Sequence, residues 1–131
     1  MALLNFKKQF VEPIRKGTKH HTIRAMRKIP VKCGEKLYLY CGCRQKGAFR
    51  ILPEPQICTR VQSIKIEMEL GGERVTIDGN VIDLDERKQL ALADGFESLD
   101  AFRDFWENVH GEDLPNHGRI VNFTGQIIHW R

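Results

Sequence analysis

The sequence predicts a single α+β domain in which short strands form a small, mixed or antiparallel barrel flanked by helices. Residues 36–40 and 59–68 alternate between apolar and polar side chains, which is typical of strands. Neither face of the second run is wholly polar, as expected when a small barrel fills its interior with side chains. Residues 98–111 instead place apolar side chains at helical spacing. The 131 residues are enough for one core, so we expect one domain.

Turn residues and alternating patterns place the other strands. Residues 6–16 are expected to form a basic helix, and residues 22–26 a short strand. A Gly-Gly turn leads into a strand over residues 73–77, which predicts a β-meander in the middle of the chain. Residues 120–130 alternate again and should form one or two closing strands, with a bulge at Gly125 where a barrel would bend.

Two helices are expected between the meander and the closing strands. The first covers residues 83–93, with Asp83 or Asp85 as its N-cap. The second starts after Ser98, which has a capping side chain, and stops at Gly111. Because the apolar stripe of the second helix is rich in aromatic residues, we expect it to lie in the core.

Charge is divided unevenly along the sequence. Residues 1–36 contain ten Lys and Arg against two acids, whereas residues 67–113 contain four against fourteen. This polarity fits a basic face for a phosphate-bearing partner and an acidic face that points elsewhere. Two solvated faces without any ligand are the alternative.

The cysteines and the hydropathy pattern indicate the compartment. Cys33, Cys41, Cys43 and Cys58 lack the Cys-x-x-Cys spacing of a zinc knuckle, so we expect free thiols, no metal site and no cofactor. The chain has no apolar run of the ~20 residues that a membrane span needs, and its N-terminus does not resemble a signal peptide. We therefore expect a cytoplasmic protein with no membrane association and no obligatory protein partner.

The segment with the most chemistry is the octet Gly17-Thr-Lys-His-His-Thr-Ile-Arg24. It brings a turn glycine, an amine, a hydroxyl and a guanidinium within eight residues. Alternate side chains of a strand share a face, so Thr22 and Arg24 should point the same way, and Gly17 gives the backbone the freedom to bring Lys19 beside them. We expect Gly17, Arg24 and one of the adjacent histidines, His21, to contact a ligand.

A second set of candidate ligand contacts lies between residues 41 and 57. This glycine- and proline-containing segment is expected to be a long loop over the barrel mouth, and it carries Arg44, Lys46 and Arg50. Loops on rigid scaffolds often bind ligands. A solvated loop whose charge only aids solubility is the alternative.

The octet, which has the form Gly-x-Lys-x-x-Thr-x-Arg, resembles the motif of ASCH domains, a small branch of the PUA-like RNA-binding fold. Other segments resemble that family in the same order: residues 34–40, residues 58–66, the acid-Gly-Phe element within residues 93–96, and the final strand over residues 126–130. The resemblance covers nearly the whole chain. It implies that residues 1–131 form one PUA-like barrel domain.

The resemblance also implies a cleft in which the octet faces the acid of the acid-Gly-Phe element. Some bacterial members of the family remove the acetyl group from N-acetylated cytidine with a lysine, a threonine and a glutamate. By position, Lys19 and Thr22 match the first two, and Asp94 is the closest match to the acid. Since Asp94 is one methylene shorter than glutamate, nearby Glu97 is an alternative acid.

Several functions fit these features. The first is binding of RNA or a modified nucleoside or nucleotide, with Tyr38, Tyr40 and Phe49 as candidate stacking residues. The second is an amidohydrolase that deacetylates N-acetylated cytidine nucleosides. A ribonuclease, also implied by the resemblance, and a protein-interaction domain are the remaining alternatives.

Overall fold

The computed structural model describes residues 1–42, 46–115 and 118–131. Within these ranges the chain forms ten strands, three α-helices and one short 3-10 helix (Lys8–Phe10). The α-helices are α1 (Val11–Lys16), α2 (Leu84–Ala93) and α3 (Leu99–His110). The strands are β1 (Ala2–Phe6), β2 (His21–Ala25), β3 (Lys36–Cys41), β4 (Phe49–Arg50), β5 (Gln56–Ile57), β6 (Arg60–Glu69), β7 (Gly72–Ile77), β8 (Asn80–Val81), β9 (Gly111–Leu114) and β10 (Gly118–His129).

The strands belong to two sheets. In the smaller sheet, β3 pairs in parallel with β1 and in antiparallel fashion with the short β4 and β5. In the larger sheet the order is β2-β10-β6-β7-β8, all antiparallel, and β9 pairs with the start of β10. The long strand β10 is central, and helix α3 packs against it through Trp106, whose ring centre lies 4.5 Å from that of Phe123.

The two sheets are bridged by side chains where they meet. Arg24 and Arg27, on and just after β2, donate hydrogen bonds to the backbone carbonyl groups of Asn5 and Leu3 on β1. Across the described residues, no backbone pairing joins β1 to β2, so the sheets do not close into a barrel. The α+β class is confirmed, whereas the PUA-like barrel stays a prediction.

The helix boundaries agree with their capping signals. Asp83 and Glu86 form a reciprocal capping box at the start of α2. The Ser98 hydroxyl accepts a hydrogen bond from the Ala101 amide at the start of α3, and this helix ends at Gly111 as predicted. Local sequence signals were sufficient to predict these helix boundaries, because each cap is made by residues within three or four positions of the helix end.

The structure differs from three expectations about local structure. Residues 2–6 form β1, so the predicted helix over residues 6–16 is shorter and regular only from Val11. The expected long loop over residues 41–57 contains β4 and β5, which pair with β3. The bulge expected at Gly125 is absent, since its pairing with both β2 and β6 runs through in unbroken register.

An ion-pair network ties β7 to both long helices. The Glu73 carboxylate accepts two hydrogen bonds from Arg103 at 2.7 and 2.8 Å and a third from Arg87 at 2.9 Å. The hydrogen bonds and charge of Arg103, assisted by Arg87, hold the pKa of Glu73 below its usual range, against the opposing effect of partial burial. Because the folded-state pKa is depressed, this network stabilises the fold above the unfolded-state pKa, and its contribution is lost as the pH falls through the folded-state value.

We therefore expect Glu73→Gln to lower the free energy of unfolding by about 1–2 kcal/mol at pH 7, because it removes charge-assisted hydrogen bonds that are partly screened by solvent. The difference between the two proteins should shrink as the pH falls from about 5 to about 3. Urea unfolding at a series of pH values measures this directly. A difference that stays constant down to pH 3 would show that the charge of Glu73 contributes nothing.

Candidate functional site

The first part of the site is placed by the end of α1. Gly17 adopts a left-handed conformation with φ 81°, which ends the helix. The backbone amides of Thr18 and Lys19 then both donate to the carbonyl of Pro13, so the chain turns sharply back. A side chain at Gly17 would also meet Arg131, whose Nη1 would lie 2.7 Å from an added Cβ. Gly17 therefore positions Lys19 by bending the backbone, and its predicted ligand contact stays a prediction.

The acid-Gly-Phe element is the end of α2. Asp94 is the C-cap, and Gly95 follows with φ 96°. The Gly95 amide bonds to the carbonyl of Leu92, and the Phe96 amide bonds to that of Ala91, which is the Schellman arrangement. Asp94 is therefore held at the end of α2, directly before Gly95, because glycine readily adopts the left-handed conformation that this turn requires.

Lys19 and Asp94 meet as a buried pair. Lys19 Nζ lies 2.7 Å from Asp94 Oδ1 and also donates to the Asp94 backbone carbonyl at 2.6 Å. The residues are only 2% and 5% exposed. A lysine ammonium at the C-terminal end of a helix is favoured by the helix dipole and by the unpaired carbonyl groups there.

Burial alters the proton affinity of both partners. Desolvation lowers the pKa of Lys19, while the neighbouring Asp94 carboxylate opposes this shift. Desolvation likewise raises the pKa of Asp94, against the opposing charge of Lys19. The site therefore holds a lysine that gives up its proton more readily than an exposed lysine does.

Thr22 and Arg24 form the adjacent wall. Arg24 Nε donates to Thr22 Oγ1 at 3.2 Å, and the guanidinium carbon lies 4.7 Å from the centre of the Phe6 ring. Burial lowers the pKa of Arg24 to about 10, so it stays charged at neutral pH. The hydrogen bond from Arg24 leaves the Thr22 hydroxyl proton free to point elsewhere.

These four side chains surround one cavity of about 260 Å³. Lys19, Thr22, Arg24 and Asp94 supply its polar wall. Aromatic rings from β1, the 3-10 helix, the turn between α2 and α3, α3 and β10 supply much of the remainder, namely Phe6, Phe10, Phe96, Phe105, Trp106 and Phe123. His110, at the end of α3, also lines the cavity. The exposed Lys7 also lines the cavity, and its Nζ lies 5.0 Å from the centre of the Phe105 ring.

Two of the remaining candidates, His21 and Glu97, do not line this cavity. His21 is buried behind the polar wall, with its Nε2 3.4 Å from Asp94 Oδ1. Desolvation and the nearby Lys19 lower the pKa of His21 to about 3, so the ring is neutral at pH 7 and this contact is not an ion pair. Glu97 is exposed on another face, which leaves Asp94 as the acid of the site.

Two of the three predicted loop cations, Lys46 and Arg50, do not line the cavity. Arg50 lies on the outer side of β3, where its guanidinium stacks over the rings of Tyr38 and Tyr40 at 5.1 and 5.8 Å. Lys46 is exposed and is not among the residues that line the cavity. Arg44 falls outside the described residues, as does Cys43. The other cysteines, Cys33, Cys41 and Cys58, are free in the structure.

Sequence reasoning missed the aromatic wall. We expected the aromatic stripe of α3 to be core, yet Phe105 and Trp106 both pack in the core and line the cavity. The indole Nε1 of Trp106 is buried without a hydrogen-bond partner among the described residues. Helical periodicity shows that one face of a helix is buried, but it cannot show that this face also borders a cavity.

Fold and site together define an α+β protein with a small, aromatic-lined cavity that carries a buried Lys-Asp pair and a threonine hydroxyl. Comparison of the chain with known protein families, curated proteins and solved structures gives no match in any of the three. Among the described residues, none of the helices has the length and apolar character needed to cross a membrane. The resemblance to ASCH domains therefore stays a prediction.

Proposed function

We propose that this protein binds a single nucleobase in the cavity, presented by a free or modified nucleotide or by an unstacked position of RNA. The observation that carries the proposal is the composition of the cavity wall. Aromatic rings line one part, and a lysine, an arginine, an aspartate and a threonine line another. Nucleobases are recognised by this combination of stacking and edge hydrogen bonding.

The polar wall offers both kinds of hydrogen-bonding group that a base edge requires. Thr22 can donate and accept, Arg24 donates, and the Asp94 carboxylate accepts. The indole N–H of Trp106, which has no partner among the described residues, is a further donor for a base carbonyl. An unpaired buried donor favours a ligand that satisfies it.

The exposed cations favour a phosphate-bearing ligand over a free base. Lys7 lies on the rim of the cavity. On the outer face of β3, Arg50 stacks on Tyr38 and Tyr40, an arrangement suited to contacts with an RNA backbone that extends from the cavity. The order of the motifs and the Lys19–Asp94 pair support the relation to the PUA-like ASCH class, and the free thiols support a cytoplasmic location.

Nucleotide binding should quench the fluorescence of Trp106, and its affinity should depend on Lys7. We expect Lys7→Ala to weaken binding of cytidine monophosphate about three- to tenfold, because one exposed charge contact contributes on the order of 1 kcal/mol. Lys8→Ala is the matched control, since Lys8 is also exposed but does not line the cavity. Fluorescence titrations of the wild type and both variants measure the effect.

The same titrations, repeated with the other nucleoside monophosphates and a short single-stranded RNA at two salt concentrations, test the proposal as a whole. Affinity should fall as the salt concentration rises, because phosphate contacts release counterions. A Trp130→Phe variant removes the second tryptophan, which packs against Phe6 at 6.0 Å between ring centres. If neither the nucleotides nor the RNA binds, the proposal is wrong.

An amidohydrolase acting on N-acetylated cytidine is a second candidate. One observation favours it: the three side chains that this chemistry requires, Lys19, Thr22 and Asp94, line one cavity. In this mechanism Lys19 first passes a proton to Asp94, to which it is hydrogen-bonded. The neutral Lys19 amine then accepts the proton of Thr22 Oγ1 as this oxygen attacks the acetyl carbon. The amine leaves as cytidine after taking up that proton, and water then releases acetate from the acetylated threonine. In the structure, Lys19 Nζ bonds to Asp94, so it must turn toward Thr22 to accept the proton of this hydroxyl.

Incubation with N-acetylated cytidine, followed by chromatography for cytidine, tests this candidate. We expect Thr22→Ala to abolish release of cytidine. Thr18→Ala is the matched control, because Thr18 is an exposed threonine of the same segment whose hydroxyl donates to the Pro13 carbonyl and does not line the cavity. Full activity in the Thr22 variant would rule out the threonine as the nucleophile.

A further inference from the structure

Three histidine rings gather where the start of β2 meets the end of β10. His21 and His129 are directly opposite each other in the antiparallel pair, with ring centres 5.2 Å apart. His20 precedes them, and its carbonyl accepts a hydrogen bond from the Trp130 amide, which extends the pairing by one residue. One ring nitrogen from each histidine can be chosen so that all three lie within 4.8 Å of one another.

Two ring nitrogens of this cluster lack a hydrogen-bond partner among the described residues. His20 Nδ1 and His21 Nε2 are buried with no hydrogen-bond partner among the described residues. His21 as a whole is 4% exposed. Buried polar atoms are normally paired, so two unpaired nitrogens in one cluster require an explanation.

The third histidine is already oriented by a neighbour. His129 Nε2 lies 2.8 Å from Gln62 Oε1. An amide oxygen only accepts hydrogen bonds, so Nε2 carries the proton and Nδ1 retains its lone pair. Histidines that bind metals are commonly held in this way, with the outer nitrogen donating to an oxygen.

We propose that His20, His21 and His129 bind a divalent transition-metal ion such as Zn²⁺. Imidazole nitrogen is a preferred ligand for such ions, and three histidines leave a fourth position for water or another ligand. At Zn–N distances of about 2.1 Å, tetrahedral ligand nitrogens lie roughly 3.4 Å apart, so ring rotations that shorten the present separations of up to 4.8 Å would close the cluster around an ion.

This site is separate from the proposed nucleobase cavity, which none of the three histidines lines. His20 is half-buried and lines a second cavity of about 250 Å³, which gives an ion a route to the cluster. The carboxylate of Asp94 lies 3.4 Å from His21 Nε2. The site ties two neighbouring strands together beside the Lys19–Asp94 pair.

Cobalt titration of metal-free protein tests the proposal, because Co²⁺ bound in a tetrahedral site absorbs strongly in the visible range. We expect one Co²⁺ per chain, displaced by Zn²⁺, and a rise in the melting temperature with Zn²⁺. His20→Asn, at a half-buried position, should raise the dissociation constant at least about tenfold. His110→Asn, which alters a histidine at the end of α3, should leave it unchanged.

Two further outcomes complete the test. Cys33→Ser removes an exposed thiol, and loss of binding in that variant but not in His20→Asn would overturn the proposal in favour of a thiol site. Absence of Co²⁺ and Zn²⁺ binding by the wild-type protein would also overturn it. Should His20→Asn fail to fold, Gln62→Leu replaces it. Loss of the oxygen that orients His129 should weaken metal binding about tenfold. Unchanged metal affinity in Gln62→Leu would count against the site.

Discussion

Asp94→Ala is expected to lower the free energy of unfolding by about 3–5 kcal/mol, because it leaves the Lys19 ammonium buried without a counter-charge. Lys19 is 2% exposed and donates to both the carboxylate and the backbone carbonyl of Asp94. The variant removes the stronger of these acceptors. Urea unfolding, monitored by circular dichroism, measures the change.

A double variant separates the cost of an unpaired charge from the value of the pair itself. In Lys19→Met with Asp94→Leu, both charges are replaced by apolar groups, and a buried ion pair replaced in this way often leaves stability nearly unchanged. We expect the double variant to recover most of the loss seen in Asp94→Ala, yet to bind no nucleotide. If Asp94→Ala costs less than about 1 kcal/mol, Lys19 reaches solvent or loses its proton at little cost, and the description of a tightly held pair is wrong.

Gly125→Ala is expected to lower the free energy of unfolding by an amount comparable to that of Asp94→Ala, but for a steric reason. A Cβ at this position would lie 2.1 Å from the carbonyl oxygen of Arg24 and 2.8 Å from Cζ of Phe123. Because the first neighbour is backbone, strands β2 and β10 must separate to admit a methyl group. We expect a loss of about 3 kcal/mol or more, at the upper end of the costs of overpacking.

Gly72→Ala is the matched control for this steric effect. Gly72 also lies in a strand, but an added Cβ there meets nothing within 4 Å. Thermal unfolding of both variants should therefore show a large drop in melting temperature for Gly125→Ala and little change for Gly72→Ala. Similar drops in the two variants would indicate a general cost of removing strand glycines and would contradict the close approach of β2 to β10.

The position of Gly125 links this prediction to the site. Arg24, whose carbonyl oxygen approaches Gly125, also holds the Thr22 hydroxyl and the edge of β1. Separation of the two strands would therefore move the polar wall of the cavity. Nucleotide affinity should fall in Gly125→Ala even at temperatures where the variant remains folded, and this can be measured by the same fluorescence titration.

The sequence by itself determined the features that depend on neighbouring residues. The helix boundaries at Asp83, Ser98 and Gly111 and the strands of the central meander followed from capping and periodicity. The octet also marked Lys19 and Thr22, because it concentrates reactive side chain types in a short segment. Such signals act within a few residues, so they can be recognised in a single sequence.

Only the tertiary structure decided how distant segments meet. Lys19 and Asp94 are 75 residues apart, and their contact depends on how two glycine-ended helices are packed. The register of β10 brings His129 to His21, and two arginine side chains, rather than backbone pairing, bridge the sheets. Periodicity specifies which face of an element is buried but not which element covers it, so the cavity, the histidine cluster and the open sheets could be found only from the packed chain.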